Sequence, residues 1–309
     1  MTRHVPTLDL TDFTDGDPLR RAAFSAAMFE ALKDYGFFVL VGHEVPEALL
    51  DRAYARAEQT FALPEDHKRR YAAGLRGYTP FGVEHAKDSG RPDLKEFWQI
   101  GHEPAPGITL YEPFPPNVWP TEIEGFHETF QALFHGLNRT GMTLLQALAR
   151  PLGVEDDYFD ELVRWGTSIL RVLHYPPVAD DVEPGCVRSA AHEDINFITI
   201  MVGARGAGLE LQDRDGSWLP VASPPGGLIV DSGDMLQRLT NGLIPATTHR
   251  VVNPVGPNVS RYSMPFFMHP TLETSLAPLP SCLGDGPKHP VTTAGEYLHE
   301  RLKAIGLAT

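Results

Sequence analysis

The sequence predicts a mainly β chain with flanking helices, in which a helical N-terminal part packs on a β-sandwich of double-stranded type. Three observations predict it. After Leu152 the pattern changes to short apolar runs: SILRVLHY, NFITIMVG, LELQD, WLPVA, GLIVDSG, THRVVNP and YSMPFFMHP. Closely spaced runs of strand length with Gly/Pro turns between them indicate a sandwich or barrel. Glycine and proline, 28 each, exceed average usage and supply those turns. Before Leu152 the apolar spacing is helical instead.

Taken in order, residues 18–35 place Ala23, Phe24, Ala27, Met28 and Leu32 at helical spacing, and Gly36 stands where a C-cap residue would. FFVLVGHEVP follows as a short buried strand and turn, and Pro46 precedes a second amphipathic helix over roughly 47–63. Residues 72–120 are rich in Gly, Pro and aromatics with little periodicity, and read as long ordered loops. A long helix is expected from about Pro120 to Leu152, where Phe126, Phe130, Leu133, Leu137 and Met142 recur. After the β region, TAGEYLHERLKAIG returns to a helix. The expected organisation is a helical and loop region at 1–152, a β core at 153–290 and a C-terminal helix at 291–309, with no linker between them.

Composition excludes several functions. Lys and Arg total 26 against 40 Asp and Glu, a formal charge of −14, which opposes non-specific binding to nucleic acid or anionic membrane. No stretch approaches the length of apolar chain that spans a bilayer. The start, MTRHVPTLDLTDF, has no signal-peptide core, so a cytoplasmic setting is expected. Two cysteines, Cys186 and Cys282, make neither a disulfide framework nor a thiolate zinc site. Thirteen histidines turn any metal search toward imidazole and carboxylate.

One such set stands in the β region. In an extended chain, side chains at i and i+2 point the same way, so His192 and Asp194 can share a metal while Glu193 points elsewhere. His249, on a later apolar strand, offers a third ligand. Two imidazoles and one carboxylate on one face leave positions open, as in the facial triad of non-haem Fe(II) oxygenases. A lone His-x-Asp is common by chance, but Arg261-Tyr262-Ser263 adds weight. Arg261 and Ser263 share a strand face, and a guanidinium beside a hydroxyl forms a receptor for a carboxylate. The neighbours Met264, Pro265, Phe266 and Phe267 are apolar, and an arginine entering a core needs an anion.

With these residues the chain resembles the 2-oxoglutarate/Fe(II) dioxygenases, in the branch containing isopenicillin N synthase, ACC oxidase and the plant flavonoid and gibberellin oxygenases. KDYGFFVLVGHEVP, RGYTPFGVE, DLKEFWQIG, PNVWP, LRVLHYPP, GLELQDRDGSWLPV and IVDSGDMLQRLTNGLIPATTHRVV carry the resemblance almost end to end. It implies a double-stranded β-helix (jelly-roll) core, with Fe(II) held by His192, Asp194 and His249. It implies that 2-oxoglutarate binds the iron through its 1-carboxylate and 2-keto oxygen. The 5-carboxylate would be held by Arg261 and Ser263, with the Tyr175 hydroxyl as a further donor. Leu173 departs from the Asn that plant relatives often carry, and Gly256-Pro257 is expected to absorb a slightly long His249–Arg261 gap in a hairpin.

The implied reaction uses O₂ and couples decarboxylation of 2-oxoglutarate to oxidation, by C–H hydroxylation, of a small organic metabolite. Candidate substrate residues are Arg171, on the strand face of Leu173 and Tyr175; Asn196, two beyond Asp194, for the substrate or for a contact behind the metal ligands; Tyr78, Phe81 and Phe97, in loop motifs, at least one of them expected to pack in the core; and Phe267. Arg171 favours a small polar or carboxylated molecule. Arg76 and Lys95 are expected to pair with Glu84 and Glu96, and His269 to be a surface histidine. The same residues would serve an oxidase that does not use 2-oxoglutarate, of isopenicillin N synthase or ACC oxidase type, or a desaturating, cyclising or ethylene-forming variant. A non-catalytic sensor on this fold is opposed by the intact triad and Arg261. Neither a macromolecular partner nor an oligomeric state is legible.

Overall fold

In a computed structural model, which describes residues 4–84, 91–103 and 116–304, the strands form two sheets. They are β1 (Thr7–Asp9), β2 (Phe37–Val41), β3 (Ala72–Ala73), β4 (Arg76–Thr79), β5 (Glu96–Gly101), β6 (Ile169–Tyr175), β7 (Ser189–His192), β8 (Ile198–Arg205), β9 (Leu209–Gln212), β10 (Trp218–Pro220), β11 (Leu228–Ser232), β12 (His249–Val251) and β13 (Arg261–Met268). The large sheet runs β1-β2-β11-β8-β13-β6-β5-β4-β3 and the small one β10-β9-β12-β7. The helices are α1 (Thr11–Thr14), α2 (Pro18–Tyr35), α3 (Glu47–Phe61), α4 (Glu65–Arg69), α5 (Phe126–Ala149), α6 (Tyr158–Val163), α7 (Asp234–Leu239) and α8 (Ala294–Ala304). This is the double-stranded β-helix arrangement with helices on the outer face of its large sheet.

The period-two alternation of the central strands builds the molecule. Outward-facing Phe38, Leu40, Val172, Ile200, Val202, Val230, Met264 and Phe266 join the main core with α2, α3 and α5. Their alternates Phe37, Arg171, Leu173, Tyr175, Thr199, Met201, Asp231, Ser263, Pro265 and Phe267 face the small sheet and line the space between the sheets. α5 packs closely because Gly141 has no side chain; a Cβ there would lie 2.5 Å from Met268 Sδ on β13.

Several expectations are corrected. Ala23 and Ala27 are exposed, and α2 buries Phe24, Ser25, Met28, Ala31 and Leu32. α3 and α5 are shorter than the apolar spacing suggested, and α8 is described only to Ala304. The stretch 72–120 contains β3, β4 and β5, which extend the large sheet beyond β6; residues 85–90 and 104–115 lie outside the described residues. β5 escaped notice because Glu96 and Gln99, both buried, interrupt its apolar run. The segment holding Gly256-Pro257 is no hairpin, since β12 belongs to the small sheet and β13 to the large one. Among the described residues no helix is long and apolar enough to cross a membrane.

Candidate active site

β7 and β12 pair antiparallel with His192 opposite His249, which sets the two imidazoles side by side with ring centroids 4.4 Å apart. Asp194 follows in the turn after β7. Its Oδ1 lies 3.7 Å from His192 Nε2 and 3.8 Å from His249 Nε2, and the three donor atoms fall within 4.8 Å of one another. Each ring is oriented through its other nitrogen. Nδ1 of His192 lies 2.7 Å from the Ala190 carbonyl, and Nδ1 of His249 lies 3.2 Å from that of Thr247. A proton held on Nδ1 leaves the Nε2 lone pair for a metal. The Thr199 hydroxyl donates to Asp194 Oδ2, so Oδ1 turns inward.

Charge supports the same reading. Burial lowers the pKa of His249 to about 4, so its ring is neutral and able to ligate at neutral pH. Burial alone would raise Asp194, but the two histidines and the Thr199 hydroxyl outweigh it and hold the carboxyl below its usual range. Glu193 turns away, as expected, and accepts from the Thr248 hydroxyl.

The triad opens into a cavity of about 60 Å³ between the sheets. Larger surface grooves of about 960 Å³ elsewhere include none of the three ligands. Arg261 does not itself line this cavity but stands opposite its lining residue Tyr175 in the β13–β6 register, with its guanidinium carbon 5.0 Å from the Tyr175 ring centroid. Arg261 is 1% exposed, and among the described residues Nε, Nη1 and Nη2 all lack a hydrogen-bond acceptor. A buried, unpaired guanidinium is costly unless an anion completes it. Ser263 and Tyr175 line the same cavity.

Residues 166–270 match the model of the 2OG-Fe(II) oxygenase superfamily, and residues 5–122 match that of the non-haem dioxygenase in morphine synthesis N-terminal region. A 2-oxoglutarate-Fe(II) type oxidoreductase of Emericella nidulans is 31% identical over 317 residues, covering 96% of this chain and 89% of the relative. The chain belongs to the 2OG-Fe(II) oxygenase superfamily. A crystal structure of a family protein from Caulobacter crescentus superposes on this oxygenase with a TM-score of 0.87 at 39% identity, covering 98% of this chain and 99% of that one. Neurospora crassa T7H, in complex with alpha-KG and thymine, gives 0.86 at 28% identity, covering 97% and 96%. The protein is thus a 2-oxoglutarate-dependent dioxygenase of the isopenicillin N synthase-like branch, and His192, Asp194 and His249 hold its Fe(II). The donor set fits that ion: three inward donors, both rings fixed from behind, and a cavity in front.

The remaining sequence-derived residues separate clearly. Arg171 and Phe267 line the oxygenase cavity. Phe97 is wholly buried and backs the Arg171 guanidinium, 4.3 Å from ring centroid to Cζ. Asn196 does not line the cavity. β7 ends at His192, so Asn196 shares no strand face with Asp194; it is buried and donates from Nδ2 to Thr199 Oγ1 at 2.8 Å, bracing the group that holds Asp194. Tyr78 is a core residue whose hydroxyl donates to Glu65 and Glu96, and Phe81 is 47% exposed. Neither of them borders the cavity. Lys95 pairs with Glu84 and Asp93, whereas Glu96 is taken by Lys68 and His174 rather than by Arg76. His269 is not on the surface but buried, its pKa lowered to about 4.

Sequence reasoning missed Thr199, Lys95, Met201 and Asp231. Asp231 carried a signal, an acid inside the apolar run GLIVDSG. It lines the cavity beside Asp194, and burial followed by the charge of Asp194 raises its pKa well above the carboxylate range.

Proposed function

We propose that this oxygenase hydroxylates a C–H bond of a small organic metabolite, with the 5-carboxylate of 2-oxoglutarate held by Arg261, Ser263 and Tyr175. The observation that carries this reading is Arg261, 1% exposed with three unpartnered nitrogens, sharing its strand with Ser263 and facing Tyr175. A carboxylate there would receive charge-assisted hydrogen bonds from a fork already aligned for it. Bound iron supplies activation of O₂, with 2-oxoglutarate as the electron source. The protein's own residues position and exclude. Thr199 keeps Asp194 oriented, and Phe37, Leu209, Val251 and Met201 give the cavity apolar walls that limit water. Arg171 and Phe267 stand where a substrate would be presented to the metal, and the thymine complex of Neurospora crassa T7H supports a substrate of that size.

The test is an anaerobic titration of metal-free protein with Fe(II) and then 2-oxoglutarate, followed in the visible. A weak charge-transfer band that needs both components is expected. Iron binding without a band would move the assignment to an oxidase whose own substrate ligates the metal.

A further inference from the structure

Two arginines on neighbouring strands stand in opposite electrostatic states, Arg171 lining the cavity and Arg261 beside its lining residues Tyr175 and Ser263. Arg261 has no carboxylate partner, whereas Arg171 is already neutralised. Arg171 Nη1 donates to Glu84 Oε1 and Oε2 at 3.0 and 3.2 Å, and Nη2 to Gln99 Oε1 at 3.1 Å. Its guanidinium is fixed between two rings, with Cζ 4.3 Å from the Phe97 centroid and 5.3 Å from that of Phe267. Glu84 also receives Lys95 Nζ at 2.8 Å, and Lys95 reaches Asp93 Oδ2 at 2.8 Å and Ser189 Oγ at 3.3 Å. The three N–H groups of Lys95 are therefore all engaged. The lysine's pKa is raised by its carboxylate neighbours against the effect of burial, and the same cations hold Glu84 at about 2. Among the described residues the cluster sets two basic side chains, Arg171 and Lys95, against two carboxylates, Glu84 and Asp93.

The contacts to Glu84 and Gln99 engage three of the five N–H groups of Arg171, and what it still offers is Nε–H and one Nη2–H. Its Nε is buried and has no hydrogen-bond partner. A substrate carboxylate arriving at Arg171 would meet a guanidinium whose charge, among the described residues, Glu84 already offsets. It would also crowd Glu84, a carboxylate that already holds the same guanidinium. An uncharged acceptor completes the orphan N–H without disturbing the cluster. We infer that the substrate of this oxygenase presents an uncharged hydrogen-bond acceptor, the oxygen or nitrogen of an amide, lactam or heterocycle, to Arg171 Nε–H beside the ring of Phe267. The bare arginine selects the dicarboxylate cosubstrate, and the neutralised one keeps a second anion out of the substrate position. This inference rests on the cavity assignment proposed above.

The experiment uses the anaerobic Fe(II)·2-oxoglutarate complex and reads the displacement of its visible band by matched probes, thymine against orotate and benzamide against benzoate. In the wild type the neutral member of each pair should bind at least tenfold more tightly. Glu84→Gln unbalances the cluster toward positive charge and should raise the affinity for orotate and benzoate at least tenfold. Asp93→Asn does so from the other side of Lys95 and reads the same switch if the first variant folds poorly. Tighter binding of the carboxylates to wild type, binding of neither series, or an unmoved ratio in variants that still form the band would overturn the inference while leaving the cosubstrate site intact. Absence of the band in the wild type would overturn both.

Discussion

Thr199 and Arg261 show how much of the site depends on single side chains that touch no iron. Thr199 fixes which Asp194 oxygen faces the two imidazoles, and Asn196 fixes Thr199 in turn. Thr199→Val preserves volume and removes the hydroxyl. It should weaken Fe(II) binding by roughly 10–100-fold, the usual effect of losing a partner of a metal ligand, as measured by competitive metal titration; unchanged affinity would show that Asp194 is held by its backbone alone. Arg261→Ala should raise the 2-oxoglutarate dissociation constant by at least about 100-fold, since a charge-assisted pair removed from a buried site costs several kcal/mol. Fe(II) affinity should hold, and equal loss of both would contradict the separation of roles. Most of these residues were legible as motifs. Thr199 was not, because its part depends on a turn between Asp194 and β8 that brings residues five apart in sequence into contact.

At the scale of elements, the metal site depends on a helix end more than 200 residues away in the chain. Gly36 ends α2 at φ +66°, and a Cβ there would lie 2.1 Å from Thr247 Oγ1. Thr247 in turn donates to the Tyr35 carbonyl at 2.9 Å and offers its own carbonyl to His249 Nδ1. Gly36→Ala combines left-handed strain with this clash, and should destabilise the fold by about 2 kcal/mol in chemical denaturation. Metal affinity should fall with it, because the segment that orients His249 must move. Destabilisation with undiminished metal affinity would refute the link between α2 and the site. Gly36 was legible as a C-cap from its place after the helical run, but its approach to Thr247 was not, since no local pattern reports a contact across such a separation. The strands of the large sheet were visible where one face is polar or functional, as along β6 and β13. β5 was hidden because Glu96 and Gln99, both buried, break its apolar run.

Across the whole molecule, burial controls protonation. His102, packed edge-on against Phe134 at 4.8 Å, has its pKa lowered from 6.5 to about 4, chiefly by burial. Its unfolded form takes up a proton as pH falls below about 6.5 while the folded form resists until about 4. The ring therefore contributes stability that is fully present above that window and is lost as pH falls through it. Asp231, whose pKa burial raises, titrates with the opposite sign, so the useful observable is a difference. His102→Gln should flatten the acid side of the metal-free protein's stability curve by at most about 1.4 kcal/mol per pH unit, the contribution of one proton. Urea midpoints measured from pH 4 to 7 would check it, and parallel curves would mean that the ring titrates alike in both states.

The sequence by itself determined the fold class, the three iron ligands and the shared strand face of Arg261 and Ser263, while Tyr175 entered only through the family resemblance. Those features follow from local periodicity and from residue types that only one chemistry explains together. The tertiary structure alone decided which polar residues reach the cavity and in what electrostatic state. Tyr78 and Asn196 became interior braces, His269 left the surface, and Arg171 met Glu84 and Gln99 from β5 and the segment before it. The physical reason is that charge balance in a buried site is a sum over neighbours distant in the chain. Spacing along one strand gives the direction of a side chain, but not what stands opposite it.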